Sequence, residues 1–531
     1  LQILYGGFQD YIRDHYITTE ETLDVVAAKI PESEKCRGAE FVFDGFTGFT
    51  PIQIRVIEKL LMMASQVTFS LILDGDTNPY AVEGDQKLFA LSQKTVKQLQ
   101  TCAEHVGVSE EEAVYLTKPP VWRFEHSPEL AFLEKNLFRY NRNTYEKEPE
   151  GIRLIQAADL RQETRHTART IRSLVRKEGY EYRDMAVVCG DLEAYAPHIR
   201  SEFSKLQIPF FLDKRGAIGL NPFVEFIKSA LSVMLRDFSV DSVSHYLRSG
   251  MTELSAEDAD LLEQYLIRMG IRGKKKWFHE STKFPVDMKK DAGEMVTAYL
   301  LRIYEARKVI FESLSPLQNL GETASSACSA LTEFIQKANV EEKLLAMEER
   351  FAEQGDGARE KEYHQIYGYI TDMVSRIGEL LGEEVLSLQE FSDLLDAGFT
   401  EMKVGVLPGG IDRLLVGDME RSRLNNVKVL FFLGINDGNI PGKGGNGGII
   451  SDPDREYLTK VAGEKYEFAP SPRQKMFIQR LYLYMNLTKP SEKLYLSFSC
   501  MNGDGDSLRP AYLVETMRRL FPKLKIEDPR E

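Results

Sequence analysis

Apolar residues along this chain fall into two patterns, short unbroken runs and stripes at helical spacing. Phe41-Val42-Phe43 is a run of the first kind and predicts a buried parallel strand. It stops at Asp44 and a glycine-rich turn. Thr50, Pro51 and Gln53 then stand where an N-cap, a first helical residue and the far partner of a capping box belong. Ile54, Ile57, Leu60 and Leu61 supply the stripe of the helix that follows. Val67 to Leu73 predicts a second buried strand, ending at Asp74-Gly75-Asp76. Two strands one helix apart therefore each end in a carboxylate, and that edge of an open parallel sheet is where ligands bind. An ordinary strand–helix–strand pair with polar turns is the plainer reading of the same residues.

Further along, Tyr11 to Ile30, Asp85 to Val106 and Pro128 to Tyr140 read as helices, and Asn141 to Gly151 as a linker. Ile152 to Ala157, Met185 to Asp191 and Pro209 to Leu212 read as strands, separated by helices over Leu160 to Glu178 and Tyr195 to Leu206. That order predicts an α/β fold with a parallel sheet and right-handed crossovers. Strand signals vanish over residues 220–400, where helical stripes dominate (Val224 to Met234, Ala256 to Met269, Met295 to Leu314, Glu341 to Leu381). They return at Val427 to Gly434 and Leu494 to Phe498, with a helix from Gln474 to Leu487 between them. The expected division is 1–150, 151–219, a helical insertion at 220–395, and 396–531.

Composition narrows the function classes. With 43% hydrophobic and 28% charged residues the chain has ample core, and no apolar run is long enough to span a membrane. Cys36, Cys102, Cys189, Cys328 and Cys500 lie far apart, which predicts free thiols in a reducing cytoplasm and neither a metal site nor disulfides. A net charge of −14 argues against whole-surface nucleic-acid binding, so any DNA contact must come from local basic features. The chain begins at Leu1 and stops in a charged stretch, and is read as a piece of something longer.

Three such basic features stand out. Arg161, Arg165, Arg169, Arg172 and Arg176 share one helical arc of roughly 80°, a surface suited to tracking phosphates or docking a partner. The alternative is a solvated face paired with nearby acids. Arg272, Lys274, Lys275 and Trp277 belong to a compact basic loop that would hold a backbone and stack a base, or else is a surface turn with a buried Trp. Arg421 and Arg423 precede the Val427 strand and suit phosphate contact, or cap a loop. Gly438 to Gly444 is not a phosphate loop, because its spacing is one short and no Ser or Thr follows Lys443. Gly410 to Arg413 lacks the acids that would complete a nuclease metal site, and Asn502 to Ser507 lacks the last glutamate of a calcium loop.

The paired strand ends resemble motifs II and III of UvrD-type superfamily 1 helicases, with departures. Gly45 stands where those helicases carry the water-orienting glutamate, Pro79 stands in place of a glutamine, and Lys489 occupies the place of an arginine that forks the γ-phosphate. Asp44, Gly45, Gly75, Asp76 and Lys489 are thus degenerate helicase positions. Phe43 to Pro51, with Pro128 to Phe138, Leu262 to Trp277, Asp418 to Arg423 and Leu433 to Pro441, makes the chain similar to the AddB subunit of the bacterial helicase/deoxyribonuclease AddAB. The resemblance implies RecA-like parallel sheets with a large all-helical insertion. On it, 1–150 is the remainder of the first RecA-like domain with a helical subdomain, and 151–219 and 396–531 form the second. It further implies an AddA partner, DNA with a single strand and a duplex end, Chi recognition and recombinational repair of double-strand breaks. ATP, magnesium and a 4Fe-4S cluster belong to the whole protein, and no cofactor to this piece. The expected role is a DNA-binding and docking body without catalysis. A motor whose phosphate loop lies upstream and a scaffold that never touches DNA are its rivals.

Overall fold

The computed structural model describes residues 3, 6–7, 22–75, 77–81, 84–116, 121–139, 141–213, 216–277, 293–354, 356–404, 412–420, 424–442, 451, 453–454, 457–458, 461 and 471–529. Asp76, Arg421, Arg423 and most of the first expected helix lie outside them. The chain divides into two compact units, Leu1–Asp213 with Gly410–Glu531, and Lys214–Gly409.

In chain order the first unit holds α1 (Thr22–Lys29), β1 (Glu40–Phe43), α2 (Pro51–Leu61), β2 (Gln66–Phe69), α3 (Ala90–Val106), α4 (Pro128–Asn136), β3 (Ile152–Asp159), α5 (Leu160–Ser173), β4 (Met185–Cys189), α6 (Leu192–Lys205) and β5 (Phe210–Leu212). The second unit carries β6 (Gly216–Ala217), α7 (Pro222–Leu235), α8 (Val240–Arg248), α9 (Ala256–Met269), α10 (Lys274–Trp277), α11 (Gly293–Ser313), α12 (Ala324–Lys337), α13 (Val340–Glu353), α14 (Gly357–Leu380), α15 (Leu388–Glu401) and β7 (Lys403–Val404). The first unit resumes with β8 (Leu414–Asp418), β9 (Val429–Leu433), α16 (Pro472–Leu487), β10 (Lys493–Met501), α17 (Tyr512–Leu520) and β11 (Ile526–Glu527).

Seven strands form one sheet in the order β11-β3-β10-β9-β4-β8-β5, and every adjacent pair is parallel. Strands β4 and β9 are buried at every position, as central strands covered on both faces must be. Alternate residues feed two cores. Ala186, Val188, Leu430 and Phe432 enter one, and Met185, Val187, Val429 and Phe431 enter the other. The expected α/β fold with a parallel sheet and a helical insertion is what the chain adopts.

Strands β1 and β2 make a separate parallel pair. The capping box forms as read: Thr50 accepts from the Gln53 amide, and the Gln53 side chain accepts from the Thr50 amide at 2.8 Å. Phe43, Phe49 and Phe69 cluster with Ile57 and Cys102 beneath the pair. The strands were expected to be wholly buried, yet both alternate between exposed and half-buried residues, and Val42 is 71% exposed. Only one of their faces meets a described element, so only every second residue is covered. Strand β2 also ends at Phe69, not Leu73.

The second unit is helical around Phe226, whose ring stacks on Tyr246 at 5.2 Å and on Phe334 at 4.9 Å. Hydroxyl and carboxylate N-caps punctuate it at Ser239, Ser255, Thr323, Asp356 and Ser387. The single helix expected over Glu341 to Leu381 is broken between Glu353 and Gly357, with Asp356 capping the second piece.

Candidate functional site

Asp44 directly follows β1, and its carboxylate accepts a short hydrogen bond from Ser70 Oγ, just beyond β2. Gly45 takes φ +74°, the left-handed region that a glutamate adopts only with strain. Beyond the end of α16, Lys489 comes within reach of Asp44's charge. Burial holds the Lys489 ammonium below its usual pKa, Arg123 adds to that, and Asp44 partly opposes it. Arg123 is fixed by donating from Nη1 to the Thr488 carbonyl at 3.1 Å. The fold thus gathers a carboxylate and two cations from three distant segments.

Asp74, beyond the end of β2, is paired. Asp74 accepts from Arg139 Nε at 3.0 Å, and the guanidinium lies 4.7 Å from the Phe89 ring centre and 5.2 Å from that of Tyr484. Gly75 lies in the turn that follows, where the Thr77 amide donates to the Asp74 carbonyl at 3.2 Å. Nothing in the sequence marked Arg139 for this role; its partners come from α3, α16 and the turn after β2. Replacing Arg139 by Met should lower unfolding free energy by about 2 kcal/mol, since it strands Asp74 and removes two ring contacts. Urea unfolding at neutral pH measures this.

At the carboxyl ends of β9 and β10 lies a buried acid that sequence reading passed over. Glu163, in the first turn of α5, is 1% exposed. Its Oε1 accepts from the Gly434 amide at 2.8 Å and Ser497 Oγ at 2.6 Å. Its Oε2 accepts from Tyr195 at 2.7 Å and, in a shorter bond, from Ser499. Burial pushes its pKa up, and the four donors and the helix N-terminus pull the other way. Gly434 makes the approach possible: its φ is +73°, and a Cβ there would stand 2.8 Å from the Tyr195 ring. With every lone pair taken, Glu163 clamps α5, α6, β9 and β10 together and leaves no side for a ligand.

The arginine stripe on α5 is split. Arg161 and Arg165 donate to Glu202 of α6 at 3.1 and 3.2 Å, and Lys205 reaches the same carboxylate at 2.8 Å. Those three cations, Lys205 foremost, hold the Glu202 pKa down to about 2. Arg169 and Arg172 make no ion pair with any described residue, and Arg169 is exposed. The plainer reading thus applies to the first half of the stripe and leaves the second half open. In the other unit, Arg272, Lys274 and Lys275 are exposed, whereas Trp277 is 4% exposed and packs on Phe238 with ring centres 5.5 Å apart. Its indole is therefore buried, as the second of the two readings of this loop has it.

Among the described residues no cluster of three or more His, Cys, Asp or Glu side chains is arranged to hold a metal, and no helix is long and apolar enough to cross a membrane. Cys36, Cys102, Cys189, Cys328 and Cys500 form no disulfide, and Cys102, Cys189 and Cys328 are buried.

Comparison with known proteins fits this picture. A family profile described as "ADDB, N-terminal" matches residues 1–134. An ATP-dependent helicase/deoxyribonuclease subunit of Lachnoclostridium phytofermentans is 36% identical across 99% of this chain, which covers 46% of that protein. The subunits of the same name from Caldanaerobacter subterraneus subsp. tengcongensis and Clostridium acetobutylicum are 34% and 32% identical, over 99% and 100% of this chain and 45% and 47% of theirs. The chain spans just under half the length of the curated relatives it matches.

Proposed function

We propose, from its similarity over 99–100% of its length to helicase/deoxyribonuclease subunits, that this chain is the helicase-like body of an AddB protein. In this reading it binds DNA and docks an AddA subunit in the cytoplasm, and it performs no catalysis itself. The whole protein would act in recombinational repair of double-strand breaks, with Chi recognition, and would bring ATP, magnesium and a 4Fe-4S cluster from its other half. Residues 1–150 are then the remainder of a first RecA-like domain, 151–219 and 396–531 a second, and 220–395 an insertion. Candidate strand contacts are Arg169 and Arg172, with Arg272, Lys274 and Lys275 in the helical unit and Arg421 and Arg423 outside the described residues.

The observation that carries this reading is Gly45. The backbone beside Asp44 is left-handed, so the position cannot take a hydrolytic glutamate without strain, while Lys489 and Arg123 still offer phosphate-binding charge. The chain should show no ATP turnover above background with single-stranded DNA, and Gly45→Glu should restore none while costing about 1 kcal/mol in stability. A labelled oligonucleotide should bind with a steep salt dependence. Clear DNA-stimulated turnover would select the motor reading instead, because Asp44 and Lys489 lie within reach of one another's charge. Salt-independent or absent oligonucleotide binding would select a purely protein-binding scaffold.

A further inference from the structure

Helix α10 carries Lys274, Lys275 and Lys276, all exposed, and Arg272 just before them is exposed too. No described acid forms an ion pair with any of the four. The turn is nevertheless firmly set. The Lys274 amide donates to Asp237 Oδ1 at 3.1 Å, and the Lys276 and Trp277 amides donate to the Gly273 carbonyl at 3.0 and 3.2 Å.

Beneath it lies Arg307 of α11, only 7% exposed. Its Nη2 donates to the carbonyl of Lys276 at 3.0 Å and, more closely, to that of Trp277, and the guanidinium sits 5.6 Å from the Trp277 ring centre. Arg307 Nε and Trp277 Nε1 are both buried without an acceptor among the described residues. No described carboxylate lies at ion-pair distance from Arg307, and burial draws its pKa down. Buried arginines are ordinarily matched by an acid, because an unmatched buried charge is destabilising. Among the described residues two carbonyl dipoles are its hydrogen-bond partners, and four more cations sit on the turn above, in a chain whose net charge is −14. A lysine run with no ion pair to a described acid thus lies over a guanidinium that no described acid matches, a concentration of positive charge suited to an anion.

We propose that the α10 turn, with Arg307 and Trp277 beneath it, is a phosphate-binding site. Lys274, Lys275 and Lys276 receive the phosphate oxygens, and the guanidinium supplies fixed positive charge below them. Because the indole is buried, recognition is of phosphate alone and indifferent to base. The shared chemistry is a run of phosphates, whether a nucleic-acid backbone or a free oligophosphate. The nucleic-acid arm rests on the DNA-binding reading above, and the oligophosphate arm does not.

The test uses the whole chain with two probes, inorganic tripolyphosphate read by thermal melting and a labelled single strand read by anisotropy at two salt concentrations. Wild type should gain melting temperature with tripolyphosphate. The surface variant Lys274→Gln/Lys275→Gln/Lys276→Gln should lose that gain, bind the strand roughly tenfold less tightly and shed about 2 units of log–log salt slope. Arg307→Lys should retain part of the tripolyphosphate response, and Arg307→Met should lose it. If Arg307→Met fails to fold, the lysine variant still decides. A tripolyphosphate response that the lysine variant abolishes, with no strand binding by wild type, upholds the site and removes the DNA reading. No tripolyphosphate response, with equal strand binding by wild type and lysine variant, overturns the site and leaves the DNA reading standing.

Discussion

Glu163→Leu should lower the unfolding free energy by about 3–5 kcal/mol, more than any surface substitution, measured by urea denaturation at neutral pH. The change leaves Tyr195, Ser497, Ser499 and the Gly434 amide as donors without an acceptor in a site that is 1% exposed at its centre. Glu163→Gln keeps the volume and one oxygen, so its cost should be about half. The pH dependence separates charge from packing. Burial raises the Glu163 pKa, so between the ordinary value of 4.5 and its folded value the native state holds a proton that the unfolded chain has lost. Stability in that window falls as pH rises, and Glu163→Gln should remove the decline. Glu202 has the opposite sign. Held down to about 2, it adds stability above 4.5 that is lost as pH drops toward 2, and Glu202→Gln should flatten the acid side instead. A Glu163→Leu variant as stable as wild type would mean that the four donors are satisfied by something other than this carboxylate.

What could be read in advance from the chain was what local pattern encodes. The Thr50 box and the bounds of α9 needed only propensity and spacing, and the runs at Met185 and Val429 announced the two central strands. Strand β8 was missed because Leu-Leu-Val-Gly-Asp is too short to show a period and ends like a turn; its place is set by pairing with β4 on one side and β5 on the other. The helix expected through Glu178 widens to a π turn over Leu174–Glu178 and stops at Gly179, whose φ is +77°. Of the site, Asp44 was legible as a strand end, while Lys489 was legible only through resemblance to a family, since no local rule links residues so far apart. Glu163 could have been noticed as the acid on the threonine and alanine side of an arginine-rich helix, a face that packing claims. The burial of Trp277 was one of two readings that the sequence left open. An aromatic at the end of a basic loop reads equally well inward or outward, and only Phe238 and Arg307 decide which.

The divided stripe on α5 gives the sharpest functional contrast. Arg169→Glu/Arg172→Glu should weaken binding of a single-stranded oligonucleotide by about ten- to hundredfold at moderate salt, with a shallower salt slope, and should leave stability almost unchanged. Neither side chain has an ion pair with a described residue to lose, so the whole effect should appear in binding. Arg161→Glu/Arg165→Glu should do the reverse. Those guanidinium groups are already spent on Glu202, so affinity should fall only a few-fold. Stability should drop by about 1 kcal/mol, because the outer ends are solvated but the Glu202 carboxylate is not. Anisotropy titrations at two salt concentrations, paired with urea unfolding of both variants, read the two effects separately. Equal losses of affinity would mean that reversed charge acts on DNA at long range and that α5 has no distinct contact face. No loss in either would place the strand elsewhere, because a helix that meets phosphates through Arg169 and Arg172 cannot tolerate their inversion.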